Sequence, residues 1–216
     1  MRGLALRHFS NSMARASRSC PRSEEGSRMK HPKVIWRRLG ALLRSASSAA
    51  VPEATWKAYK AAGSKAYKQG NYIEAEKQFA VALNMAQGFG PQDPRLGTSL
   101  NNLGLTYKRR GQFGKAELLF RGALRVYKKA LGPAHPHVAA VLSNLATLYG
   151  SQGKHAEAES LHKQALVIAE DALGPDHPDV GAILDSYAGL LRKTGRYEAT
   201  TAMEIRAKAI RAKQAK

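Results

Sequence analysis

Histidine is the residue type here whose number and clustering most invite a chemical reading: the 216-residue chain carries seven, beside a single cysteine, Cys20. A metal centre would need three or four of them, or carboxylates, converging at ligand spacing. His135 and His137 share one turn, but His177 lies 42 residues beyond His135, and no cluster of Cys, Asp or Glu joins them. They therefore read as turn and capping residues. Asp176 and Asp179 stand near a helix start, where a carboxylate complements the positive end of the helix dipole rather than forming a catalytic pair. Glycine-rich phosphate loops, GxSxG and HExxH are absent. Cys20 lies in an Arg/Ser-rich stretch with nothing to lower its pKa, and one cysteine allows no intrachain disulfide. The expectation is a chain with no catalytic residues, no metal and no cofactor.

Charge points elsewhere. The chain has 35 Lys and Arg against 16 Asp and Glu, a formal net charge of +19, which favours anionic partners such as acidic peptides, nucleic acid or anionic membrane surfaces. The excess is uneven: residues 1–52 hold eleven basic residues against Glu24 and Glu25. That segment is expected to be a mostly disordered basic extension, with an amphipathic helix near Val34 to Leu43. Its Arg- and Ser-rich, acid-poor start resembles a mitochondrial transit peptide, or the product of an upstream start codon with Met13 or Met29 as the true one. A secretory signal fits poorly, because the apolar run Leu39 to Leu43 is closed by Arg44. No run reaches the roughly 18 apolar residues of a membrane span. With 44% apolar residues the remainder can bury a core, and the cytoplasm is the expected compartment, with the mitochondrion as alternative if the extension is a transit peptide.

Self-similarity organises residues 53–216. Leu131-Gly-Pro-Ala-His-Pro-His-Val138 recurs as Leu173-Gly-Pro-Asp-His-Pro-Asp-Val180, with a looser copy at Phe89 to Leu96. Gly90, Gly132 and Gly174 form one comb; Gly70, Gly111, Gly153 and Gly195 form a second, with steps of 41, 42 and 42 residues. Between them the apolar spacing is helical, as in Leu100, Leu103 and Tyr107, then Ala116, Phe120, Ala123 and Leu124. Each unit is thus a helix, a tight turn and a second helix. Gly63, Gly104, Ala146 and Ala188, together with Ala75, Ala116 and Ala158, let the paired helices approach closely. Glycine after the second helix suits a left-handed cap, and proline after it suits the first position of the next helix.

Leu100-Asn-Asn-Leu-Gly104, Tyr107, Gly111, Ala116-Glu117, Ala123-Leu124 and the Leu-Gly-Pro-x-His-Pro segments together resemble tetratricopeptide repeats, in the 42-residue form of kinesin light chains. The resemblance covers about Glu53 to Lys216 and implies an all-α solenoid: four antiparallel hairpins, about 53–94, 95–136, 137–178 and 179–216, in a right-handed superhelix whose first helices line the concave side. Terminal units are degenerate, with Ala62, Thr200 and Glu204 departing from the pattern, as capping repeats require. The family's heptad coiled coil is absent, which argues against a kinesin subunit.

By the same resemblance, Asn102 and Asn144 occupy positions whose amides hold the backbone of an extended peptide, with Asn101 beside them. Lys60, Lys108, Arg109, Arg192 and Lys193 are placed on or near that groove, suiting an acidic peptide or a C-terminal carboxylate. The expected function is a non-catalytic adaptor or assembly scaffold for a protein or peptide partner. The alternative is a nucleic-acid or ribonucleoprotein-associated protein, using the basic tail for phosphate contact. A third reading, self-association through the helix from Thr200, leaves the oligomeric state open.

Overall fold

The computed structural model describes residues 53–214, which form eight helices and no strand. In chain order these are α1 (Glu53–Lys68), α2 (Tyr72–Gln87), α3 (Pro94–Arg109), α4 (Phe113–Leu131), α5 (Pro136–Ser151), α6 (His155–Leu173), α7 (Pro178–Lys193) and α8 (Tyr197–Gln214). The basic extension, its expected amphipathic helix and Cys20 all lie outside the described residues.

Local chemistry places the helix starts. Asp93, His135 and His177 are equivalent N-caps, each followed by proline at the first helical position. Their side chains accept the backbone N–H of Arg95, His137 and Asp179 at 2.8, 3.1 and 3.1 Å. The histidines thus act as caps, as their positions suggested, and proline loses nothing there because its N–H would be unpaired. The hairpin glycines Gly70, Gly111, Gly153 and Gly195 all have φ between 72° and 79°. Gly132 and Gly174 differ from the expected left-handed cap: φ is 92° and 87°, but ψ is 160° and 156°. That is an extended conformation essentially reserved for glycine, and it throws the chain out into the next unit instead of curling it back.

Helices pair sequentially into four hairpins, α1 with α2 through α7 with α8, and each hairpin stacks on the next. First helices also touch one another, α1 with α3, α3 with α5 and α5 with α7, whereas second helices do not meet among the described residues. The first helices therefore form the inner, closer-spaced layer of a solenoid and the second helices its outer layer. One apolar core runs from the second hairpin to the fourth, centred on Phe120, Leu142, Leu148, Leu184 and Leu191, and smaller clusters around Phe79 and Trp56 continue it into the first.

Two devices join neighbours. Trp56 Nε1 donates to Ser99 Oγ at 2.9 Å, and Ser99 donates in turn to the Arg95 carbonyl at 2.9 Å, so the first hairpin enters the second through a satisfied buried pair. A tyrosine on each later first helix also donates to a glutamate on the preceding second helix: Tyr107 to Glu76 and Tyr149 to Glu117, each at 3.0 Å, and Tyr187 to Glu159 at 3.1 Å. Tyr107 and Tyr149 are 42 residues apart; Tyr187 comes 38 residues later, one helical turn early, with Leu191 in the repeat position. In the last unit, Thr200 is buried yet satisfied by donating to the Arg196 carbonyl, and Glu204 pairs with Arg192.

Candidate functional site

The inner layer brings the inferred groove residues onto α1, α3, α5 and α7, in different states. Asn144 Nδ2 donates to Asn101 Oδ1 at 2.9 Å, across the seam between the second and third hairpins. Asn102, the residue equivalent to Asn144 one repeat earlier, is half-buried, and its side-chain amide makes no hydrogen bond among the described residues. Of the three asparagines it alone has an amide with no hydrogen bond within the described fold.

The cations also divide. Lys60 lies over the Trp56 ring, 5.0 Å from its centroid. Arg109 Nε donates to Tyr67 Oη at 3.1 Å, a tie to the preceding hairpin. Arg192 turns to Glu204 on α8. Lys108 and Lys193 have no acidic partner among the described residues. Burial, helped by the charge of Arg109, pulls the Lys108 ammonium down to about 8. Lys193 is exposed and lines a cavity of about 210 Å³ between α5 and α7. The five-residue basic edge thus resolves into two uncommitted cations, Lys108 and Lys193, and three that help hold the scaffold.

His162 on α6 lines the same cavity and belongs to none of the recurrent sequence motifs. Its signal is positional: Phe79, Phe120 and His162 are equivalent, 41 and 42 residues apart. It is fully buried, and neither ring nitrogen has a hydrogen-bond partner among the described residues. Burial first, then the charge of Lys108, pushes the imidazole down to about 4, so it is neutral at physiological pH. Tyr187, displaced by one turn, stacks on it at 5.4 Å between centroids and 17° between planes. Beyond that pair, Glu159 bonds Lys163, Arg196 and Tyr187, which holds its carboxyl down at about 2, while burial and Glu159 push Tyr187 up to about 12.

No group of three or more His, Cys, Asp or Glu side chains converges among the described residues. No helix among them is long and apolar enough to cross a membrane.

A hairpin solenoid whose inner helices carry amides and cations is the architecture of helical-repeat interaction proteins. The chain belongs to the tetratricopeptide repeat family, whose sequence profile matches residues 57–129, 119–171 and 137–213. Among solved structures it is similar to BtubC (BKLC) from P. vanneervenii, with TM-score 0.64 and 24% identity over 84% of this chain and 75% of that one. It is also similar to a kinesin light chain-type protein of Podosopora anserina with nearly identical TPR-like repeats. The two structures of that protein give TM-scores of 0.59 and 0.57 at 20% identity, covering 84% of this chain and 85% and 86% of theirs. At these identities the likeness establishes the fold, and the 42-residue units are kinesin light chain-like. No curated protein matches the chain significantly. The repeats make the chain a protein–protein interaction module.

Proposed function

We propose that the solenoid is a non-catalytic adaptor or assembly scaffold whose inner face holds an extended, acidic peptide segment of a partner protein. The observation that carries this reading is Asn102: a half-buried amide on the inner layer with its own hydrogen-bonding capacity unspent, on the same helix as Lys108. An amide pairs with a peptide unit irrespective of sequence, and uncompensated ammonium groups select acidic neighbours. Asn144 plays a different part from Asn102, because one of its N–H groups is already directed at Asn101.

The nucleic-acid reading draws on net charge. Eleven basic residues precede residue 53, leaving 24 basic against 14 acidic residues in the rest of the chain. Phosphate attraction of that kind brings partners close without choosing among them.

Selection of random linear peptides on the full chain tests the proposal. Enrichment of Asp- and Glu-containing peptides whose binding weakens in Asn102→Ala supports it. Peptides without acidic bias, or with affinity indifferent to Asn102, contradict it.

A further inference from the structure

Each inner helix ends on an equivalent residue: Lys68 closes α1, Arg109 α3, Ser151 α5 and Lys193 α7. Each stands seven residues after the groove position of its own helix, which is Ala61, Asn102, Asn144 and Ser186 in turn. That interval is close to two helical turns, so the terminal residue shares the groove face and lies about 10 Å from the amide row, toward the hairpin turns. On α7 the shared face is visible directly, because Ser186, Gly189 and Lys193 line one cavity of the inner layer. The hairpin-turn rim thus carries a cation on the first, second and fourth hairpins and a hydroxyl on the third, all four residues being exposed.

The cations of that rim are open to a ligand, and the gap between them is real. Lys68 and Lys193 take part in no ion pair among the described residues. Arg109 spends its Nε on Tyr67 and keeps the other donors of its fork, with Lys108 beside it also lacking an acidic partner. A helix dipole favours a cation at a C-terminus but leaves its charge free for a partner. In the third hairpin Gly150, Ser151 and Gln152 are uncharged, Ser151 Oγ donates to the Thr147 carbonyl at 2.9 Å, and Lys154 beyond the turn is drawn over the Tyr149 ring. The opposite rim offers a carboxylate nothing. Arg95, His137 and Asp179 are equivalent there, and Arg95 is already held by Glu53 at 3.3 Å and Asp93 at 2.6 Å. Burial, then the charge of His135, lowers the His137 imidazole, which keeps it neutral, and Asp179 is an anion. One wall of the groove therefore attracts carboxylates and the other does not.

We propose that the groove reads the spacing of two acidic residues in an extended partner segment, one meeting Arg109 and Lys108, the other meeting Lys193 about six positions along, with neutral residues between. The inference rests on the groove reading and adds a spacing rule to it. Packed helices lie roughly 8–10 Å apart, so Arg109 and Lys193, two inner helices apart, are separated by on the order of 16–20 Å. An extended chain advances about 3.3 Å per residue and alternates its side chains between two faces, so residues reaching one rim are an even number of positions apart. Four positions fall short at about 13 Å, and six match at about 20 Å. An acid opposite Ser151 would lose water without gaining a cation.

The test titrates the full chain by NMR with two acetylated, amidated peptides of Ser, Thr and Ala that share one composition and contain two glutamates, at that spacing in one and adjacent in the other. Adjacent glutamates point to opposite faces, so only one of them meets the rim. The spaced peptide is expected to bind about threefold more tightly, the worth of one exposed ion pair, and to shift the backbone resonances of both Arg109 and Lys193. Lys193→Gln should equalise the two peptides. Lys193→Glu should transfer the preference to a peptide with lysine in place of the second glutamate. Lys193 is exposed, so neither variant threatens folding. Equal affinities for the parent chain, a preference that survives Lys193→Gln, or no exchange of preference in Lys193→Glu would each overturn the proposal. Equal binding of both peptides that still weakens in Asn102→Ala sinks the spacing rule and leaves the groove reading intact. A spacing preference undiminished in Asn102→Ala upholds the rim and removes the reading built on Asn102.

Discussion

Asn144 Nδ2 lies 2.9 Å from Asn101 Oδ1, although the two residues are 43 positions apart and the repeat is 42. Asn144 therefore belongs partly to the scaffold, and Asn102 does not. Asn144→Ala should lower stability by about 1 kcal/mol, the usual worth of a partly buried hydrogen bond, whereas Asn102→Ala should leave it unchanged. Thermal denaturation of the two variants checks this; equal losses would mean that Asn102 also bonds within the fold.

Ala123 and Ala165 are equivalent, one repeat apart, and both are fully buried. An aspartate at either place forces an unpaired carboxylate into a helix contact, at several kcal/mol. Ala123→Asp and Ala165→Asp should each unfold or severely destabilise the solenoid in urea titrations. Lys208→Ala, at an exposed position, should be silent. Variants melting like the parent would contradict the packing register.

His162 also sets a pH dependence of stability. Its folded value of about 4 lies below the ordinary 6.5, so the unfolded chain takes up a proton that the folded chain refuses. Stability should fall as pH drops from about 6.5 toward 4 and level off below, by on the order of 3 kcal/mol from this group. Glu159 acts in an adjoining window: its depressed value stabilises the fold above about 4.5 and loses effect as pH falls toward 2. In Ala146→Gly/His162→Phe, the decline between pH 6.5 and 4 should shrink while that below 4.5 persists. An unchanged upper slope would show that His162 is not the group responsible.

The hairpins were legible because their determinants are local. Gly111 and Gly153 must turn with positive φ, Pro136 and Pro178 must start helices, and Ala116 or Ala158 must face a partner helix wherever the stack sits. The groove was legible only in part. Whether Arg109 reaches Tyr67 depends on the angle between successive hairpins, and whether Arg192 reaches Glu204 on how α7 packs against α8 within one, and no spacing along the chain encodes either. His162 could have been found as the odd member of Phe79, Phe120 and His162. The cavity could not, since it depends also on Gly150 and Gly189, brought together from two different hairpins.

Residues 53–216 should fold as a predominantly helical fragment without metal, because every described helix is packed against a neighbour and no ligand cluster holds them. Far-ultraviolet circular dichroism in chelator measures this. Substantial strand signal, or collapse of structure on chelation, would contradict the assignment of these residues to one metal-independent solenoid.

In the proposed function, geometry on the inner face, rather than bulk charge, selects the partner. Calorimetric titration of an acidic peptide selected on the full chain, against the parent, Asn102→Ala and a chain lacking residues 1–52, separates the two. Asn102→Ala is expected to weaken binding by about 1 kcal/mol, roughly fivefold, and removing the eleven basic residues of the extension to change affinity little. Affinity indifferent to Asn102 but falling steeply with salt, with a slope that flattens when residues 1–52 are removed, would contradict it.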